Sequence, residues 1–183
     1  MYNSYYQSPY YGHVPIYNPY DCPHPRWDYP PMKGPDCPNR RTCPNYPNML
    51  KDFGPEPFTI NIEKASLQNE NFRTALWTGE HLQLTLMSIN VGDDIGLEIH
   101  PDVDQFLRIE QGQGLVMMGE SRDRLNFRRC VSDDYVVFVP AGIWHNLVNT
   151  GPVPIKLYSI YAPPEHPHGT VHRTKEDEDH HHY

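Results

Sequence analysis

The sequence predicts an all-β fold, a sandwich or closed barrel, and three observations carry that expectation. Short apolar runs recur at near-regular spacing between residues 58 and 163, turn residues separate them, and no stretch sustains a helical period. "FTINIEKA" alternates apolar and polar residues, as a half-buried strand does, and "FRTALWTG" and "HLQLTLMSI" follow it. "IGLEIH", "QFLRIEQG", "GLVMMG", "LNFRRCV" and "YVVFVP" continue the series, and "WHNLVN" and "IKLYSIYAP" close it. The breaks are "VGDD", "QGQG", "GESRD", "SDD", "PAG" and "NTGPVP", all rich in residues that favour turns. About ten short strands with such punctuation suit a sandwich or barrel, and "KASLQNENF" has room for one helical turn at most.

The remaining chain differs in kind. Residues 1–57 hold most of the 20 prolines and 13 tyrosines and hardly any aliphatic run. Proline removes backbone donors and blocks helix, and so little apolar surface cannot offset the entropy of ordering the chain, so an extended or disordered arm is expected. Cys22, Cys37 and Cys43 lie in this arm, each followed by proline. With His24 they have the residue types of a zinc site but no common finger spacing, so reduced or cross-linkable thiols are the expectation. Cys130, in a strand-like run, is expected to be a small buried hydrophobe. Residues 164–183 form a polar, acidic tail ending in His180, His181 and His182, to which no role is assigned.

The net charge of −8 argues against nucleic acid or an anionic membrane as the main partner. No run approaches the roughly 18 apolar residues of a membrane span, and the first residues lack the charged start and apolar middle of a secretory signal. The expected setting is the cytoplasm, or a shell assembled inside a cell.

One constellation carries chemistry. On a strand, residues two apart share a face, so Glu98 and His100 point together. Gln105 starts the next strand after the turn-like "PDVD", and "PAGIWHN" delivers His145 onto another. Convergence of these four gives two nitrogens and two oxygens, a donor set for Mn²⁺, Fe²⁺, Ni²⁺ or Zn²⁺. The structural alternative pairs Glu98 with Arg108, Arg128 or Arg129 and leaves the histidines as hydrogen-bonded wall residues.

These stretches resemble the two motifs of the cupin superfamily. Gly92, His100 and Gly112 fit the first motif, with Glu98 in its first histidine slot and Gln105 in its glutamate slot. Pro140, Gly142, His145 and Asn149 fit the second, and Asp134 replaces its opening glycine. The closing "APPEHPHGTVHRTK" is similar to the ends of single-domain bacterial cupins loosely grouped with mannose-6-phosphate isomerase relatives. The resemblance implies a double-stranded β-helix, or jelly-roll barrel, over residues 58–163, a homodimer to which "FTINI" contributes, and a divalent ion on Glu98, His100, Gln105 and His145. Trading an imidazole for an amide oxygen shifts preference toward Mn²⁺ or Fe²⁺, with Zn²⁺ or Ni²⁺ as alternatives.

Three functions follow as expectations. The first is a metal-dependent isomerase, lyase or oxygenase on a small, carbohydrate-like molecule in the barrel mouth, with Glu98 as a candidate base. The second is an assembly protein of the spore-coat type, cross-linked through its Tyr/Cys arm. The third is a sensor that binds a small ligand without turning it over.

Overall fold

The structure is a computed structural model and describes residues 50–179; the expectations for the arm before residue 50, including its cysteines, and for the terminal histidines lie outside them. The described chain runs α1 (Ile62–Gln68), β1 (Arg73–Thr78), β2 (Gln83–Ile89), β3 (Asp104–Gln111), β4 (Gln113–Gly119) and β5 (Phe127–Ser132). It continues through β6 (Val136–Val139), β7 (Trp144–Asn149), β8 (Ile155–Ala162), β9 (Val171–His172) and α2 (Lys175–Asp179). All named pairings are antiparallel. A six-stranded sheet in the order β6-β3-β8-β2-β1-β9 faces a three-stranded sheet in the order β5-β4-β7.

The pleat explains the interior. On β8, Ile155, Leu157, Ser159 and Tyr161 are buried while the residues between them are not, as alternation requires. Register then lays the buried residues out in rows. Ile89 sits beside Ile155, and Met87, Leu157 and Ile109 lie side by side. Thr85, Ser159, Leu107 and Val137 form the next row, and Gln83, Tyr161, Gln105 and Val139 the last. The large sheet is therefore apolar at one end of the interior and polar at the other. The apolar rows join Val116, Val131 and Leu147 of the small sheet in one core.

Three expectations need correction. "FTINIEKA" is not a strand: Asn61 caps α1, its side chain accepting from the Lys64 amide at 2.8 Å. Ile60 and Ile62 do face one way, but toward Leu76, Leu84, Leu86 and Tyr158 on the outer face of the chain's own large sheet. The arm also ends earlier than residue 57. Leu50 and Phe53 join that outer cluster, and the Asp52 carboxylate accepts from the amides of Gly54, Thr78 and Gly169 at 2.9–3.0 Å. The segment after residue 163, expected to fray, adds β9 to the large sheet and α2 beyond it. Its physical reason is Arg73, which is wholly buried on β1 and takes its counter-charge from Glu178 of α2. A smaller correction concerns Cys130, which is exposed on the edge strand β5.

Among the described residues, no helix is long and apolar enough to cross a membrane.

Candidate metal centre

Glu98 and His100 lie between β2 and β3, on a segment held by backbone pairing to β7. The Glu98 amide donates to the His145 carbonyl at 3.1 Å, and the His145 amide donates back to Glu98 at 2.9 Å. Two residues on, the Gly142 amide donates to the His100 carbonyl at 2.8 Å. Gly142 has φ +77°, a left-handed conformation that closes the "PAG" turn and starts β7 where His145 faces inward. Asp104 secures the turn by accepting from the Ala141 amide at 2.9 Å. The spacing between the two motifs thus becomes a direct cross-strand pair.

The side chains converge. One ligand atom from each of Glu98, His100 and His145 lies within 4.8 Å of the other two. His145 Nε2 is 3.1 Å from Glu98 Oε1, and His100 Nε2 is 3.4 Å from the same oxygen. Two ligands about 2.1 Å from one ion lie roughly 3.0 Å apart at a right angle and roughly 3.4 Å apart at a tetrahedral angle. Both observed separations match that scale.

A hydrogen bond on the far side of each ring fixes its orientation. His145 Nδ1 lies 3.0 Å from the Ile143 carbonyl oxygen, which can only accept, so Nδ1 carries a proton and Nε2 faces Glu98. His100 Nδ1 lies 3.1 Å from Glu165 Oε1, and His100 Nε2 is buried without a hydrogen-bond partner. Two imidazole nitrogens and a carboxylate oxygen converge on one point, where a metal ion could take the place of the protons that otherwise link them. The residues fit a divalent ion.

Glu98 is held in its charged form. Burial alone would raise its carboxyl, but His100, His145 and the Arg73 charge outweigh it and hold the group well below the usual carboxylate range. None of the three arginines of the structural alternative is its partner: Arg108 pairs with Glu110 and Asp134, and on the exposed β5 Arg128 donates to the Leu125 carbonyl and Arg129 to the Arg128 carbonyl. For His100, burial opposes the charged form, yet Glu98 and Glu165 together raise its pKa.

Gln105 is buried in the last polar row, and its Nε2 donates to Ser159 Oγ at 3.1 Å and to Tyr161 Oη at 3.0 Å. Its carbonyl Oε1 is left buried with no partner. The Tyr161 ring in turn lies edge-on to His100, 5.6 Å between centroids. Beyond His145 lies a small cavity of about 10 Å³ among Leu107, Val116, Val139 and Leu147.

Several residues at this end escaped the sequence. Glu165, which orients His100, lies in the segment expected to fray; its only sequence signal is the cluster of ionisable residues in "PPEHPH". Arg73 and Tyr161 were visible as polar residues in phase with buried neighbours in "FRTALW" and "IKLYSIY".

The other motif positions have structural work. Asn149 donates to the Ile89 and Val153 carbonyls at 3.0 and 2.9 Å and accepts from the Gly151 amide, tying the turn after β7. Asp134, in the slot of a motif glycine, adopts φ +69°, the left-handed conformation for which glycine is suited.

Comparisons with known proteins agree with this construction. A model described as "Cupin domain" matches residues 85–161. Uncharacterized protein YrkC of Bacillus subtilis is 67% identical over 129 residues, 70% of this chain and 69% of that protein. The crystal structure of BH2720 from Bacillus halodurans aligns with TM-score 0.71 and 62% identity, covering 72% of this chain and 99% of that one. At 14% identity, an uncharacterized conserved protein with a double-stranded β-helix domain from Klebsiella pneumoniae shares the fold, with TM-score 0.50 over 64% of this chain and 100% of its own. Paired antiparallel sheets, the two spaced motifs and these likenesses make the chain a member of the cupin superfamily, with a jelly-roll, double-stranded β-helix barrel.

Proposed function

We propose that the barrel is a metal-dependent enzyme of the isomerase, lyase or oxygenase type acting on a small molecule, its ion held by Glu98, His100 and His145 with the Gln105 carbonyl oxygen as fourth donor. The observation that carries this reading is the convergence of both imidazole Nε2 atoms on one carboxylate oxygen while each ring's other nitrogen is anchored. A divalent ion held there supplies Lewis-acid polarisation of a substrate oxygen or, if redox-active, dioxygen chemistry. The two oxygen donors favour Mn²⁺ or Fe²⁺.

The chain's own groups supply position. Ile143 and Glu165 fix the ring planes, and Ser159 and Tyr161 fix the Gln105 amide so that its oxygen points away from them. The cavity behind His145, about 10 Å³, is too small for a substrate, so in this reading substrate approaches from the polar end, where Glu165 and His166 lie. Burial, and then the Arg73 charge, push the His166 imidazolium down to about 2, so that ring is neutral at ordinary pH.

The test combines metal analysis with turnover. Protein loaded with Mn²⁺ or Fe²⁺ is expected to bind one ion and to convert a member of a small hydroxy- and oxo-compound panel, both lost in His145→Ala. Equal metal content in wild type, His145→Ala and Gln105→Ala would overturn the metal reading. Metal binding with ligand-dependent thermal stabilisation but no product would replace the enzyme with a sensor.

A further inference from the structure

The polar end holds a second constellation that metal binding does not use. Arg73 is wholly buried, and its charge reaches Glu98. Its Nη1 donates to Tyr161 Oη, the same oxygen that accepts from Gln105 Nε2. Its Nε donates to Glu178 Oε1 at 2.8 Å, and Nη2 lies 2.7 Å from that oxygen. His172 Nδ1 is 4.0 Å from the same carboxylate oxygen. His166 lies between, its ring 5.1 Å from Tyr161 and 6.4 Å from His172, with Nε2 buried and without a hydrogen-bond partner.

The source of the anion matters here. A buried cation strongly requires a counter-charge. Arg73 belongs to the barrel wall, but Glu178 belongs to a five-residue helix past the two-residue strand β9. The barrel alone is thus a cationic pocket sharing Tyr161 and Gln105 with the metal centre, and a terminal segment supplies the carboxylate that fills it.

We infer that Arg73, Tyr161 and His172 form a carboxylate-binding pocket, occupied here by the chain's own Glu178, and that ligands of the barrel are small carboxylic acids that displace it. This rests on the proposed metal centre for the placement of the ligand's other end: a hydroxy- or oxo-carboxylate sets its carboxylate on Arg73 and its second oxygen toward Glu98, His100 and His145. Glu178 is then a built-in stand-in for the ligand, and binding releases α2 from the barrel.

The experiment uses the full chain with a chelator present, so that only the Arg73 pocket is read. Glu178→Ala empties the pocket and leaves the guanidinium uncompensated. Acetate is expected to raise the melting temperature of this variant by about 3–5 °C at ten times its dissociation constant, with a smaller rise in wild type, where Glu178 competes, and none from chloride at equal ionic strength. If the variant does not fold unaided, refolding yield in acetate against chloride reads the same site. The double variant Arg73→Met/Glu178→Met, which removes both charges, is expected to lose the acetate response. Acetate acting no better than chloride on Glu178→Ala would overturn the inference, leaving a structural ion pair. An undiminished acetate response in the double variant would also overturn it. Manganese titration without chelator reads the metal centre separately, so either site can fail without the other.

Discussion

The two ends of the barrel interior are built from the same strands by the same alternation, yet they do opposite work. At one end Met87, Ile89, Ile109, Ile155 and Leu157 present only carbon and sulfur to one another. At the other Gln83, Gln105, Tyr161, His100 and His145 are buried too, and the guanidinium of Arg73 reaches Tyr161 from its place beside Met87. Burying apolar side chains stabilises a fold by about 1.5–3 kcal/mol each, whereas buried polar groups cost free energy unless satisfied. Gln105 Oε1 and His100 Nε2 are among the buried polar atoms with no hydrogen bond within the protein. One half holds the sheets together so that the other can keep unsatisfied donors in place.

Substitutions should separate the halves. Leu157→Ala, in the apolar rows, is expected to lose about 2–5 kcal/mol of stability in urea unfolding while the folded fraction binds Mn²⁺ as wild type does. His145→Ala is expected to show the reverse, with Mn²⁺ affinity falling at least about 100-fold by calorimetric titration and the metal-free melting temperature changing little. A large loss of metal-free stability in His145→Ala would erase the distinction.

Asp52 tests a region outside both halves. Asp52→Asn replaces a carboxylate that accepts from three amides and the Thr78 hydroxyl, and is expected to cost about 1–3 kcal/mol at pH 7. Burial would raise the Asp52 carboxyl, but the bonds from Thr78, Gly169 and Gly54 and the His168 charge lower it. A carboxyl depressed on folding contributes stability that is present above its unfolded value, about 3.9, and is lost as pH falls through the folded one. The gap between wild type and Asp52→Asn should therefore hold from pH 7 to about 4 and narrow below that. A gap that widens on acidification would reverse the assignment.

Two smaller effects sharpen the polar half. Glu165→Gln keeps the size of the side chain that orients His100 but removes its charge, and is expected to weaken Mn²⁺ binding about tenfold without unfolding the protein. Asp134→Gly relieves a left-handed aspartate and gives up an exposed ion pair with Arg108, so a rise of only a degree or two in melting temperature is expected.

How much of this was legible in the sequence follows the range of the interactions. Glu98, His100 and His145 could be found from the spacing of the two motifs, although "IGLEIH" is not the strand it was expected to be and isolated bridges to β7 hold it instead. The barrel was visible because strand alternation fixes where side chains point. Helix α1 was legible only in part: "KASLQNENF" allowed one turn, but Phe58, Ile60 and Ile62 alternate as a strand would, and only the Asn61 cap marks the earlier start. The return of residues 164–179 was not legible. It depends on Arg73 meeting Glu178 across 105 residues, and "KEDEDH" taken locally is a solvated acidic run.

The most direct test of the central claim is a crystal structure of Mn²⁺-loaded protein with anomalous scattering at the manganese edge. The account predicts one ion bonded to the Nε2 atoms of His100 and His145 and to a Glu98 oxygen, at about 2.0–2.3 Å. An empty site at saturating Mn²⁺, or an ion found only on His180, His181 and His182, would contradict it.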